Sequence, residues 1–274
     1  MSTRVGFIGL GNIGKPMAVN VAHGGFDLMV HDLRPEPVRE LAALGAKAAA
    51  SPLDIGRHAE IVELVVMNDA QVEEVTLGPQ GVFQTMAKGG VVAIHSTVHP
   101  DTVKKVFEAG KTRGIGVFDA QVSGGEKGAA ARTLAYMVGG DKALLERCRP
   151  LFNTSAGNIF HLGPLGSGAS AKIAHNMIVY VNYLAAAEGM RLAKKLGIDL
   201  DAFEALVRVS GGQSNAMNTW QERRRRWDAD PRPDRLPALY YKDLALALSM
   251  AHDAGVAVPG AALAQQQIDM ILHW

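Results

Sequence analysis

The chain has 274 residues, with 28 Lys and Arg against 27 Asp and Glu, a formal net charge of +1 and one cysteine. That length suits about two domains with full cores, while the near-zero charge supplies no long-range field for nucleic acid or an anionic membrane. A lone Cys148 excludes an intrachain disulfide framework and fits a reducing compartment; with no run of eighteen apolar residues and no leader ahead of the first strand pattern, the expectation is a cytoplasmic protein.

The first predicted element is an apolar strand over 4–10 that runs into a glycine-rich turn. Gly9, Gly11 and Gly14 stand at G-x-G-x-x-G spacing within Gly9-Leu10-Gly11-Asn12-Ile13-Gly14, and Met17, Ala18, Val19, Val21 and Ala22 continue as a helical pattern over 14–23. In such a turn Gly9 makes the tight bend, Gly11 lets the backbone approach a pyrophosphate and Gly14 lets helix and strand pack closely. The phosphates would meet the open amides of the helix N-terminus. A second strand over 27–32 ends in Asp32, about twenty residues beyond the glycines, where a carboxylate accepts from both hydroxyls of an adenosine ribose and repels a 2'-phosphate. This favours NAD over NADP as the cofactor. Arg34, two residues on, could pair with such a phosphate and keeps NADP open as the lesser choice.

Strands over 46–50, 61–67 and 91–96 then alternate with helices near 35–44, 52–58, 69–76 and 100–110, and strands at 115–119 and 133–138 and a helix at 141–152 extend the series. This rhythm predicts an α/β fold: a Rossmann-type parallel-sheet domain over 1–162, covered on both faces. Ligands of such sheets collect outside the carboxyl ends of the strands, which places Gly9 to Gly14, Asp32, Met67-Asn68 and Ser96-Thr97 along one crevice. A second glycine-rich turn spans Asp119 to Ala129. Its Ser123 hydroxyl and the Gly124 and Gly125 amides could form an anion nest for a carboxylate, a ligand-free hairpin turn being the plain alternative.

From 163 the pattern becomes helical only, predicting an all-helical substrate and oligomerisation domain over 163–274. It is built around one long helix at 169–196, about 28 residues or roughly 40 Å. Further helices fall near 199–209, 213–219, 239–254 and 259–272, and the stretch 223–237, with its prolines and alternating charges, reads as turn and loop. The Arg223–Arg226 run is locally offset by Glu222, Asp228, Asp230 and Asp234 and reads as a solvated helix end or subunit contact. The apolar surface of the long helix, with Tyr180, Tyr183 and Leu184, predicts a homodimer or homotetramer. An active site is expected between the two domains.

Lys172 and Asn176, four apart, share one face of that helix. An ammonium there, partly desolvated beside a cofactor ring, could trade a proton near neutrality, with the Asn176 amide orienting it or a substrate hydroxyl. A snorkelling lysine and a capping amide are the bland alternative. His175 is the competing base; His95, His99 and His161 read as hydrogen-bonded structural side chains, and no metal is indicated.

Taken together these segments resemble the β-hydroxyacid dehydrogenase family, the 3-hydroxyisobutyrate dehydrogenase-like enzymes. Gly6 to Met17, Asp119 to Ala129, Gly163 to Asn176, and Lys242-Asp243 with its apolar helix carry the likeness in family order across nearly the whole chain. The resemblance implies that Lys172 is the catalytic acid/base and Asn176 its partner, and that Ser123, Gly124 and Gly125 hold a substrate carboxylate. It further implies that Lys242 approaches substrate and nicotinamide, that Thr97 touches the nicotinamide side of the cofactor and that Met67 touches its ribose. The implied activity is hydride transfer between NAD(H) and a short-chain 3-hydroxy acid or its semialdehyde. A tartronate or succinic semialdehyde reductase, an imine reductase and a non-catalytic dinucleotide-binding regulatory protein are the alternatives. Two departures stand out: Gln121 occupies a position usually held by proline, and Asn68-Asp69 replaces a common Leu-Pro after Met67.

Overall fold

A computed structural model describes residues 2–229 and 236–272. Packing divides the chain into two compact units, Met1–Lys172 and Ile173–Trp274.

In the first unit the elements run β1 (Arg4–Ile8), α1 (Gly14–His23), β2 (Asp27–His31), α2 (Pro35–Ala43), β3 (Lys47–Ala48), α3 (Pro52–His58), β4 (Ile61–Leu64) and α4 (Asp69–Leu77). They continue with β5 (Val91–Ile94), α5 (Pro100–Thr112), β6 (Gly116–Ser123), α6 (Gly125–Ala130), β7 (Leu134–Gly139), α7 (Lys142–Phe152) and β8 (Ala156–Gly163). The eight strands form one sheet in the order β3-β2-β1-β4-β5-β6-β7-β8, parallel throughout except for the β6–β7 pair. From β1 the chain winds outward to β3 and then returns to β4 on the other side of β1. That reversal opens a crevice at the carboxyl end of β1, where the glycine turn lies.

Because side chains alternate across a strand, the sheet carries two cores. Val5, Phe7, Val91, Ala93, Phe118 and Ala120 pack with Met17 of α1 and Phe152 of α7 on one face. Ile8, Val62, Leu64, Val92, Ile94 and Val117 pack with Ile55 of α3, Val72 of α4 and Val103 of α5 on the other. Helix starts are set locally: Asn68 accepts from the Gln71 amide, Asp141 accepts from Ala143 and Leu144, and proline opens α2, α3 and α5.

In the first unit β8 and α6 go beyond the predicted set. β8 was not expected, because as the outermost strand it exposes residues on both faces and shows no clean apolar alternation. β6 runs on to Ser123 because β7 pairs with it antiparallel as far as Ser123↔Ala135, and α6 follows in place of a plain hairpin turn.

The 29-residue α8 (Ser167–Lys195) carries the chain into the second unit, where α9 (Leu200–Arg208), α10 (Asn215–Asn218), α11 (Trp220–Ala229), α12 (Leu236–Asp253), α13 (Pro259–Gln266) and α14 (Ile268–Leu272) follow. Tyr180, Leu184, Leu244, Ala261 and Ala264 form one small core, and Ala187, Met190, Ala216, Met217 and Trp220 a second. The reading of 223–237 as turn and loop is corrected at its start, since 220–229 is helical; residues 230–235 lie outside the described residues. Among its described side chains, α11 is anchored by burial of Trp220 and by Arg223, whose guanidinium lies 4.0 Å over the Tyr183 ring and donates to the Ala216 carbonyl. Arg223 is therefore a packed residue rather than a solvated one. The single helix expected over 259–272 is broken at Gln267. Among the described residues no helix is long and apolar enough to cross a membrane.

Candidate active site

The glycine turn has the shape its spacing demands. Gly9 has φ +96°, and a Cβ there would stand 2.2 Å from the Val65 carbonyl oxygen; one on Gly14 would stand 2.0 Å from the Gly9 oxygen. Around Gly11, by contrast, nothing lies within 4 Å of a Cβ position. The first and third glycines are thus required by packing, and the second leaves bare backbone where a pyrophosphate can approach.

Asp32 follows β2 and is tied to this turn. Its Oδ2 accepts the Leu10 amide at 2.6 Å, and its Oδ1 accepts the Arg34 amide at 2.9 Å and Arg34 Nε at 3.0 Å. Burial alone would push its carboxyl up, but the Arg34 contacts and the two amides outweigh it and hold the group below the usual carboxylate range. The remaining strand ends are linked to one another. Ser96 Oγ accepts the Val66 amide at 2.8 Å, Met67 is 58 % exposed, and Thr97 follows Ser96 directly. Asn68-Asp69 has a clear local job: Asn68 caps α4, and Asp69 Oδ1 accepts the His99 amide at 2.8 Å and the Thr102 hydroxyl at 2.7 Å, binding α4 to the start of α5.

Asp119, Gln121 and Ser123 point to one face of β6. Asp119 is fully buried, with Oδ1 accepting the Gly166 amide at 2.7 Å and Oδ2 the Ala169 amide at 2.8 Å, so it caps the long helix α8. Burial pushes its carboxyl above the ordinary range against the opposing pull of these amides. A Cβ on Gly168 would lie 2.3 Å from the Met137 carbonyl oxygen, 2.9 Å from Asp119 Oδ2 and 3.0 Å from Gln121 Oε1. Only glycine lets the helix start this close to the sheet. Lys172 follows one turn later and is half-buried. Beyond Ser123, Gly124 and Gly125 have φ of +133° and +63°, and the Cβ position of Gly125 faces open space.

On the opposite face, His95 Nδ1 lies 2.6 Å from the Ala120 carbonyl oxygen and its Nε2 lies 3.2 Å from Glu63 Oε1, both side chains being buried. Glu63 was not singled out from sequence; a lone acid in an apolar strand was its signal. Cys148 is buried nearby, its thiol pushed up to about 12 by burial and then by the Glu63 charge, which makes it chemically inert. His161 Nε2 contacts the Gly140 carbonyl at 2.8 Å, and His99 Nδ1 accepts the Asp101 amide.

In the helical unit Asn176 belongs to a buried polar cluster. Asn176 Nδ2 donates to Asp243 Oδ2 at 2.7 Å and the Tyr180 hydroxyl donates to the same oxygen at 2.8 Å. Lys242 Nζ lies 3.1 Å from Asp243 Oδ1, an ion-pair contact not aligned as a hydrogen bond, and His175 Nδ1 lies 3.1 Å from Asn176 Oδ1. Burial, followed by the Asp243 charge, pushes the Tyr180 hydroxyl far above its ordinary value, so it stays a donor. Asp243 therefore fixes which way the Asn176 amide faces. Neither Tyr180 nor Asp243 was assigned a site role from sequence, although Tyr180 repeats the four-residue step from Asn176.

The family model for the NAD binding domain of 6-phosphogluconate dehydrogenase matches residues 4–163, and that described as NAD-binding of NADP-dependent 3-hydroxyisobutyrate dehydrogenase matches 166–273. The chain belongs to the β-hydroxyacid dehydrogenase family. Among members of this family, it is similar to NAD-dependent L-serine dehydrogenase of Pseudomonas aeruginosa, at 36% identity over 98% of this chain and 92% of that one. It is also similar to 3-hydroxyisobutyrate dehydrogenase of the same organism, at 34% identity over 96% and 90%. The solved structure of Mycobacterium tuberculosis 3-hydroxyisobutyrate dehydrogenase with L-serine is similar with a TM-score of 0.82 and 30% identity, covering 97% of this chain and 92% of that one. The two family matches meet in the short stretch between β8 and α8, so this β-hydroxyacid dehydrogenase has its glycine turn, Asp32 and Ser123 in the first match and Lys172, Asn176 and Lys242 in the second.

Proposed function

We propose that this β-hydroxyacid dehydrogenase moves hydride between NAD(H) and a short 3-hydroxy acid or its semialdehyde, with Lys172 as the proton-transferring group. The observation that carries the reading is the seating of α8 on β6: Asp119 and Gly168 bring the helix that bears Lys172 against the strand that ends in Ser123. L-serine and 3-hydroxyisobutyrate, the substrates in the relatives' names, share a C1 carboxylate and a C3 hydroxyl and differ at C2. That shared skeleton is what an anion-holding loop and a proton-transferring lysine would recognise.

In this reading Gly9, Leu10, Gly11, Asn12, Ile13 and Gly14 hold the pyrophosphate, Asp32 the adenosine ribose, Met67 the other ribose and Thr97 the nicotinamide side. The bound nicotinamide supplies the hydride chemistry. Ser123, Gly124 and Gly125 hold the substrate carboxylate, and Lys242 reaches substrate and nicotinamide. During oxidation neutral Lys172 takes the hydroxyl proton as hydride leaves the alcohol carbon; during reduction its ammonium returns a proton to the developing alkoxide. Asn176, held by Asp243, offers its carbonyl oxygen to orient that proton transfer.

The test is the absorbance of reduced nicotinamide with NAD and NADP against 3-hydroxyisobutyrate, L-serine and glycerate, and the reverse assay with short semialdehydes. Turnover on none of these would overturn the reading. We also propose a homo-oligomer, since Ile178, Leu192, Leu196, Leu206 and Val209 of the helical unit are each more than half exposed.

A further inference from the structure

Gln121 is wholly buried on β6, with Nε2 donating to the Ser96 carbonyl at 3.2 Å, while its Oε1 has no hydrogen-bond partner among the described residues. A buried carbonyl oxygen left without a donor is costly in an otherwise well-paired interior. The Ser96 bond fixes which end of the amide faces the helix. It turns Oε1 to the first turn of α8, where a Cβ on Gly168 would stand 3.0 Å from it.

Gly168 and Lys172 are one helical turn apart on one face. Helical side chains lean toward the N-terminus and cover the turn before their own. A Lys172 stem that leans this way passes over Gly168, the position against which Oε1 rests. We propose that Gln121 is a positioning residue for the proton-transferring lysine: its Oε1 has no donor among the described residues, and in the working enzyme it accepts an N–H of the Lys172 ammonium and holds it in place above β6, near Ser123. The amide then links three parts of the site, Ser96 next to Thr97, the strand leading to Ser123, and the helix bearing Lys172. This inference rests on the assignment of Lys172 as the acid/base.

The other ionisable groups around this stretch are Asp119, whose carboxylate is taken up by the Gly166 and Ala169 amides, His175 on α8, Lys127 on α6, and the Glu63–His95 pair behind Ala120. All are common to wild type and the Gln121 variants, so differences between them report the amide alone. An acceptor for the ammonium favours its protonated form. Gln121→Met keeps the length of the side chain and removes the acceptor; Gln121→Glu keeps an oxygen acceptor.

The experiment is the pH profile of kcat and KM for semialdehyde reduction in wild type, Gln121→Met, Gln121→Glu and Lys172→Ala, with a melting temperature for each. In Gln121→Met the alkaline limb should move to lower pH by about one unit, with kcat reduced and KM for NADH little changed. In Gln121→Glu the limb should stay at or above the wild-type position. An unmoved limb in Gln121→Met overturns the proposal, as does an equal shift in both variants or a lowered melting temperature with an unaltered profile. If the limb survives in Lys172→Ala, it is the assignment of Lys172 that fails. If it vanishes there but does not move in Gln121→Met, only the role of Gln121 fails.

Discussion

Arg34 lies back across Asp32, with Nε 3.0 Å from Oδ1 and Nη2 donating to the Leu10 carbonyl at 2.9 Å. The guanidinium that could have received a 2'-phosphate is engaged by the acid that would repel one. NAD should therefore be preferred, and Asp32→Ala should weaken NAD by roughly 1–3 kcal/mol, about tenfold to a hundredfold, while NADP improves as Arg34 is released. Steady-state kinetics with both cofactors check this; equal efficiency with NADP in wild type would contradict it. The folded-state pKa of Asp32 is lowered, so the stability it contributes is present above its unfolded value near 3.8 and is lost as pH falls through the lowered value. Denaturation curves of wild type and Asp32→Asn should converge in that acid range.

The Asp243 carboxylate serves two buried donors at once. Asp243→Ala would leave the Asn176 amide and the Tyr180 hydroxyl without an acceptor, at a cost of about 2–4 kcal/mol, whereas Tyr180→Phe removes a donor cleanly and should cost about 1 kcal/mol. Urea unfolding of the single and double variants measures both values. The coupling between them should be non-zero, since they share one oxygen. Additive effects would separate Tyr180 from the cluster.

Lys172→Ala should leave NAD binding nearly intact, because the glycine turn and Asp32 do not depend on it. Turnover should fall by about 10²–10⁴-fold, roughly 3–5 kcal/mol of transition-state stabilisation. Single-turnover rates of hydride transfer give the answer free of product release. If the variant keeps more than about a tenth of wild-type rate, His175 becomes the next residue to test.

A second copy of the chain should cover apolar residues of the helical unit such as Leu192 and Val209, 61% and 85% exposed. Sedimentation at micromolar concentration should show a dimer or larger. Leu192→Asp should shift it toward monomer, and a wild-type monomer would refute the assignment.

The glycine turn, Asp32, the alternation of strands and helices and the long helix were legible in the sequence because each is set by local geometry. Gly9 and Gly14 are spaced for one bend, Asp32 closes one strand, and the α8 pattern repeats over many turns. β8 was not legible, since an edge strand exposed on both faces carries no periodic signal. Nor was α11, whose anchors Trp220 and Arg223 find partners on other elements, in the core of Ala187 and Met217 and in the Tyr183 ring. Which residues meet is the part that tertiary structure alone decided. Asp119 reaches the start of α8 across 47 residues and Asn176 reaches Asp243 across 67, and no pattern within a segment reports a hydrogen bond between segments. Gln121 shows the same division: its identity marked an unusual residue in β6, but only the packing of Gly168 against that strand shows where its buried carbonyl faces.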